Sequence, residues 1–227
     1  MNIVKQTHRK ARKIARNLVQ SRPMATQSDK KPTVFIVDDD AAIRFAMQAL
    51  MDSVNLNHEI FESGDEFLEK ITEQRPGCLV LDIRMPGLGG LELQEELIKR
   101  GNTLPIIFIT GHGDVPMAVE AMQKGAVDFI QKPFRDQELL DRIREALATD
   151  EERREEQQQH AEVNQRLDRL TNREREVFDL VVTGKPNKVI AYELGVSQRT
   201  VEIHRARVME KMQARSLADL VKMHMTA

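Results

Sequence analysis

The sequence predicts an α/β domain built on a five-stranded parallel sheet, followed by a smaller all-helical domain. Three observations predict it. Between Lys31 and Thr149, five short apolar runs alternate with five segments of helical period. From Asp150 to His160 there is no apolar residue. Beyond Asp168, capping residues and glycines punctuate helix-length segments, and no strand-like run recurs.

Bulk properties narrow the classes. The 227 residues suffice for one large domain or two small ones. With 41% hydrophobic and 31% charged residues the composition is that of a globular protein in water, and no apolar run approaches membrane-spanning length. The single cysteine, Cys78, excludes an intramolecular disulfide framework and fits a reducing cytoplasm. It begins a strand and reads as a small buried hydrophobe. The formal net charge of −2 gives no global nucleic-acid signal, so any such signal is local.

Residues 1–31 read as a basic extension. Lys5, Arg9, Lys10, Arg12, Lys13, Arg16 and Arg22 precede the first acid, Asp29. Ile3, Ile14, Leu18 and Val19 can line a short amphipathic helix, and a basic arm can touch nucleic acid or membrane. The simpler expectation is a disordered tail, or an upstream translation start with Met24 as the working one. A continuous apolar segment marking a secretory signal is missing.

Residues 32–149 carry the alternation. Strands are expected near 33–38, 57–61, 78–82, 105–110 and 127–131, and helices near 41–53, 64–74, 89–100, 115–124 and 136–148. Ile43, Met47, Leu50 and Met51 recur at helical spacing and face the core. Gly101 and Gly125 fall where helices end. Short connections and near-continuous apolar strands require a parallel sheet covered on both faces, a flavodoxin-like (βα)5 arrangement.

Residues 150–167 form a charged linker, read as a solvated helix or a tether. Val163, Leu167 and Leu170 resume apolar spacing, too briefly to require a coiled coil. Residues 168–227 then divide into four helices. Thr171-Asn172-Arg173-Glu174 is a capping box for the first. Asn187 can cap the second, Ser197 the third over roughly 198–212, and Ser216 the fourth. A helix, a glycine turn at Gly195 and a capped basic helix make the helix-turn-helix pattern.

The chemistry lies at the strand ends. Val34-Phe35-Ile36-Val37 runs into Asp38-Asp39-Asp40, Leu79-Val80-Leu81 into Asp82, Ile106-Ile107-Phe108-Ile109 into Thr110, and Phe129-Ile130 nearly into Lys132. In a parallel sheet these ends share one edge, where ligands bind. Carboxylates, a hydroxyl and an ammonium suit a divalent metal and a phosphoryl group on Asp82. Mg²⁺ takes a few oxygens plus water and phosphate. Asp39, Asp82 and the backbone carbonyl of Arg84 can supply them, with Asp38 assisting through water and Asp40 capping the next helix. Asp82 is the expected nucleophile, forming an acyl phosphate. Lys132 would neutralise phosphoryl charge, and Thr110 would hydrogen-bond a phosphoryl oxygen.

Asp38-Asp39-Asp40, Leu81-Asp82-Ile83-Arg84-Met85-Pro86-Gly87, Ile109-Thr110-Gly111-His112-Gly113-Asp114 and Lys132-Pro133-Phe134 resemble the receiver domain of two-component response regulators. The stretches 110–122 and 125–134 resemble the FixJ branch, and the tail from Leu170 resembles the LuxR/NarL-type DNA-binding domain. The likeness covers nearly everything after Lys31. It implies that a partner histidine kinase phosphorylates Asp82. It further implies that Asp38 and Asp39 form the acidic metal pair, Thr110 is the switch hydroxyl and Lys132 the phosphate-binding lysine. Phe129 corresponds to the switch aromatic, buried in one state and mobile in the other. The bond before Pro133 is often cis in the family. Arg84 and His112 match variable positions at the pocket rim. The family dimerises when phosphorylated through a face here expected to include Val119, Met122 and Gln123, and RNA polymerase is an implied partner at promoter DNA.

In the third helix of the tail, Val201, Val208 and Met212 suit the inner face. Thr200, Ile203, His204 and Arg207 recur on another face that can enter a major groove. Arg205 and Lys211 are expected at phosphates, Arg199 at either phosphates or bases, and Lys185 and Lys188 at the backbone. The family often has Lys where this chain has Glu202 and Ala206. Two rival readings are an aspartyl phosphatase of the haloacid-dehalogenase type, using Asp38 and Asp40, and a regulator whose output binds RNA or protein. The first expects Thr or Val where Ala42 stands and leaves Asp82 and the tail unused. The second lacks a stacking platform, since Phe178 and Tyr192 are the only aromatics after residue 170. The expectation is a cytoplasmic transcription regulator, an activator, not bound to membrane and not a classical enzyme, whose only catalysis is its own Mg²⁺-dependent phosphorylation and dephosphorylation.

Overall fold

The computed structural model describes residues 31–71, 73–111 and 115–227. The basic extension through residue 30 and His112 therefore lie outside the described residues. The strands are β1 (Thr33–Val37), β2 (His58–Phe61), β3 (Gly77–Asp82), β4 (Ile106–Thr110) and β5 (Asp128–Gln131). Helices α1 (Ala41–Ser53), α2 (Gly64–Lys70), α3 (Gly90–Lys99) and α4 (Val115–Gln123) alternate with them. All pairings are parallel and the order is β2-β1-β3-β4-β5. β1, β3 and β4 are buried along their whole length, which is why they read as unbroken apolar runs. Phe35, Phe61 and Phe67 pack ring against ring at the centre of one core, with centroids 5.2–6.5 Å apart. Fully buried Gln94 donates from Nε2 to the carbonyl of Ala121 (3.1 Å), tying α3 to α4.

The register sets the functional edge. Val37 pairs with Leu81, Asp82 with Ile109, and Thr110 with Gln131. Asp38, Asp82, Thr110 and Lys132 therefore leave the sheet at one end. The chain winds from β1 toward β2 on one side and through β3 to β5 on the other. The crevice where winding reverses lies between β1 and β3, the usual ligand position in such sheets.

Helix α2 stops at Lys70 instead of running to 74. Ile71 turns into the core (5% exposed), and Pro76 disfavours helix before it. The larger difference concerns α5, which runs unbroken from Asp136 to Leu167. No Gly or Pro interrupts that stretch. The chain divides into two compact units, one through Leu139 and one from Leu140.

In the second unit, α6 (Asn172–Val182), α7 (Asn187–Leu194), α8 (Gln198–Met212) and α9 (Leu217–Thr226) enclose Val177, Phe178, Val181, Ile190, Val201, Val208, Met212 and Leu220. Thr171 and Glu174 form the expected capping box on α6; Ser197 caps α8, and Ser216 with Asp219 caps α9. Gly195 ends α7 in the left-handed region (φ 65°). Asn187 does not cap α7: Pro186 holds that position, and Asn187 is the first helical residue. No helix among the described residues is long and apolar enough to cross a membrane.

Candidate functional site

At the β1/β3 crevice two buried carboxylates share one ammonium. Lys132 Nζ donates to Asp38 Oδ2 (2.8 Å) and to Asp82 Oδ1 (2.7 Å). The other oxygen of each carboxylate is held by a backbone N–H two residues on, Asp40 N–H for Asp38 (2.9 Å) and Arg84 N–H for Asp82 (3.0 Å). Asp38 is 1% and Asp82 7% exposed. Burial pushes the Asp82 carboxyl above its ordinary range, and the ion pair with Lys132 offsets only part of that. Burial also opposes the charge on Lys132, but its bonds to Asp38 and Asp82 outweigh this and hold the ammonium above its usual value. Lys132 is thus held in its charged form between the two carboxylates. The Lys132–Pro133 bond is cis.

The structure distributes the other expected residues. Thr110 is buried at the next strand end, its Oγ1 donating to the Gly111 carbonyl (3.2 Å). Asp39 and the Arg84 side chain are exposed at the rim. Asp40 accepts from Ala42 N–H (2.8 Å) as the cap of α1, which occupies the second carboxylate a haloacid-dehalogenase-type site needs. Phe129 points outward, 42% exposed, and Val119, Met122 and Gln123 are exposed on α4.

Two supporting residues escaped the sequence reading. Arg44 Nη1 donates to the Asp38 carbonyl (2.8 Å), one helical turn after the Asp40 cap. Gly90 lets α3 press against the end of β3, where an added Cβ would lie 2.3 Å from the Asp82 carbonyl. Spacing marks Arg44 as a candidate; only the Gly89-Gly90 pair hints at the second.

A metal is a matter of donor chemistry. Among the described residues no group of three metal-binding side chains is drawn together. Asp38 and Asp82 nonetheless present hard oxygens within reach of one cation, with Asp39 beside them. Mg²⁺, which needs only one or two carboxylates plus water and phosphate, fits that set.

On α8 the exposed residues are Gln198, Arg199, Glu202, Ile203, Ala206, Arg207 and Glu210. Ile203, 47% exposed, lies on this stripe. Thr200 and His204 are half-buried at its margin; Thr200 Oγ1 lies 2.8 Å from Ser197 Oγ, and His204 Nδ1 is buried without a hydrogen-bond partner. Several expected phosphate contacts are engaged within the fold. Lys211 Nζ bonds Glu174 Oε2 (2.6 Å) and the Arg169 carbonyl (3.1 Å). Lys185 pairs with Glu193, and Arg205 donates to Asn187 Oδ1 (3.0 Å). Lys188, Arg199 and Arg207 are exposed, with no ion pair among the described residues.

Comparison with known proteins agrees with both halves of this geometry. Residues 34–144 match the response regulator receiver domain, and residues 168–224 match the luxR family of bacterial regulatory proteins. The chain is 49% identical over 201 residues to nodulation protein W of Bradyrhizobium diazoefficiens, covering 88% of each. It is 45% identical over 194 residues to the transcriptional regulatory protein FixJ of Azorhizobium caulinodans, covering 86% of this chain and 92% of that one. The solved structure of the response regulator StyR matches with a TM-score of 0.78 and 45% identity, over 87% of this chain and 100% of its own. Receiver domains usually bind Mg²⁺ at the phosphorylation site, and they imply a sensor kinase as partner. The chain belongs to the two-component response regulators, transcriptional regulators rather than classical enzymes, and joins a receiver domain to a LuxR-type DNA-binding domain.

Proposed function

We propose that Asp82 is the phosphoacceptor and that its phosphorylation drives homodimerisation and DNA binding. The observation that carries this reading is Lys132, whose ammonium lies 2.8 Å from Asp38 and 2.7 Å from Asp82 in a buried pocket at the sheet edge. A sensor histidine kinase is the donor. An oxygen of Asp82 attacks the phosphorus of phosphohistidine, the P–N bond breaks, the imidazole takes up a proton, and an acyl phosphate remains on Asp82. Lys132 can exchange its bond to Asp82 for one to a phosphoryl oxygen while keeping Asp38. Thr110 offers its hydroxyl to a second phosphoryl oxygen. Mg²⁺, held by Asp38, Asp39, Asp82 and the carbonyl of Arg84, would neutralise charge on the transferred group. Water attacking the same phosphorus returns Asp82 to the free carboxylate.

The output lies in α8. Arg199, Thr200, Ile203, His204 and Arg207 face the groove, and Lys188 meets a phosphate, with Lys185, Arg205 and Lys211 bracing the helices. The exposed residues Val119, Met122 and Gln123 of α4 belong to the surface that pairs two copies after phosphorylation, and Phe129 on β5 is the switch aromatic that turns inward beside it. Promoter binding then recruits RNA polymerase, in the cytoplasm, chiefly for activation. The test is the mass of the protein in solution and its affinity for duplex DNA, with Mg²⁺ and beryllofluoride as phosphoryl mimic, beside Asp82→Asn. The wild type alone should shift to dimer and gain affinity. If neither protein responds, phosphate-driven dimerisation is wrong.

A further inference from the structure

The exposed stripe of α8 contains an acid where a DNA-facing helix should avoid one. Arg199, Glu202, Ile203, Ala206 and Arg207 recur at helical spacing, opposite buried Val201, Val208 and Met212. Several acids of this unit have cations: Glu174 has Lys211, Glu193 has Lys185, Glu176 has Arg173 and Asp179 has Arg175. Among the described residues Glu202 has no such ion pair, and neither does Glu210, in the last turn of α8 and away from the N-terminal half that reaches base edges. Arg205, three residues on, is turned away to Asn187. A bare carboxylate in a groove bordered by phosphates is repelled unless a donor meets it.

Major-groove edges supply few donors. Cytosine offers its N4 amino group with no neighbouring acceptor. Adenine offers N6 beside the N7 acceptor, which repels a carboxylate, and guanine and thymine present only acceptors or a methyl group. Glu202 also sits in the first half of α8, the part of a recognition helix that reaches base edges. We infer that Glu202 reads a C·G pair, its carboxylate accepting from cytosine N4. This inference rests on α8 being the DNA-reading helix. It makes Glu202 a source of selectivity that lowers affinity for every other sequence.

The experiment is selection from a pool of randomised duplexes by the full-length, beryllofluoride-activated chain, with Glu202→Ala and Glu202→Gln in parallel. The wild type should favour cytosine about 5- to 150-fold at one position of each half-site, the range for one good base contact. Glu202→Ala should lose that preference and bind non-cognate duplex more tightly, because a charge repelled by phosphates has gone. Glu202→Gln should move the preference toward adenine, whose N6 and N7 a carboxamide can bridge. If the wild type selects a motif that both variants keep unchanged, the role of Glu202 is wrong and the DNA-reading role of α8 stands. If the wild type enriches no sequence, the reading of α8 itself fails, and this inference with it.

Discussion

Replacing Lys211 by Met separates two accounts of one residue. As a surface cation on α8, Lys211 would contribute to DNA affinity and little to stability. The structure gives it another occupation. Glu174 is 2% exposed, its Oε2 accepting both the Thr171 N–H (2.8 Å) of the α6 capping box and the Lys211 ammonium (2.6 Å). Lys211→Met leaves that carboxylate buried with only its cap. Breaking a fully buried pair costs roughly 3–5 kcal/mol. The Lys211 side chain is 34% exposed, so water reaches one partner; discounted for that screening, the loss should be about 2–3 kcal/mol. At about 4–8 °C per kcal/mol for a domain of this size, the melting temperature of the helical unit should fall by roughly 10–20 °C. Calorimetry of the full chain reads this directly, and Glu174→Gln/Lys211→Met should recover most of the loss, because the uncompensated charge has been removed. The reasoning fails if Lys211→Met unfolds within about 0.5 kcal/mol of the wild type while the salt slope of DNA binding drops by about one.

The same ion pair predicts the acid response of the helical unit. Lys211 and the Thr171 N–H hold the Glu174 carboxyl down at about 2. A depressed carboxyl stabilises the fold fully above its unfolded value near 4.3 and loses that contribution as pH falls through the folded value; urea midpoints of this unit should fall between those limits, and Glu174→Gln should flatten the slope. Asp82 has the opposite sign. Burial raises its carboxyl, so ionising it costs stability as pH rises above the ordinary aspartate value; Asp82→Asn should melt higher than the wild type near neutral pH, and the gap should shrink toward about pH 3. Gly90→Ala should cost about 2–4 kcal/mol in urea unfolding, since its Cβ would meet the Asp82 carbonyl at 2.3 Å and Phe108 Cε1 at 3.1 Å; an unchanged midpoint would show that α3 is free to shift. Phe129→Trp introduces the only tryptophan in the chain; its emission should shift to the blue when beryllofluoride drives the ring inward, and a static spectrum would deny Phe129 a switching role.

Much of this was legible because the sheet's grammar is local. Each buried strand announces itself as an apolar run, and parallel pairing obliges the ends of such runs to meet, so Asp82, Thr110 and Lys132 could be placed together from order alone. Which aspartate of 38–40 turns inward was not legible. Successive residues leaving a strand diverge, and spacing cannot say that Asp38 meets Lys132 while Asp39 is exposed; only the cap by Asp40, directly before Ala41, could be read locally. The continuity of α5 was ambiguous for a related reason. A segment with no apolar face has no period to read, and only the missing Gly and Pro favour helix. The tie of Lys211 to Glu174 was not legible because its partner stands 37 residues earlier in the chain. A surface charge and a charge over a buried acid look alike until the tertiary fold brings them together.

In the proposed switch the pocket would be coupled to the α4–β5 face through register rather than through any single contact. Thr110 pairs with Gln131, and Phe108 with Phe129, on the adjacent strands β4 and β5. Side chains in register on parallel strands share a face, and alternate residues return to it, so Thr110 and Phe129 stand on one side of the sheet. While Lys132 bridges Asp38 and Asp82, the Thr110 hydroxyl bonds its neighbour's carbonyl and Phe129 is 42% exposed. A phosphoryl group on Asp82 supplies acceptor oxygens that can draw the hydroxyl toward β3, and the space it leaves is open to the aromatic ring. Fully burying a phenylalanine is worth about 1.5–3 kcal/mol, and with 42% of Phe129 still exposed roughly 0.6–1.3 kcal/mol of that remains to be gained. A gain of that size tips a two-state equilibrium by roughly three- to nine-fold, without any rearrangement of the strands themselves. In the proposed switch the sheet would stay rigid enough to hold the carboxylates while its edge changes the surface offered to a second copy.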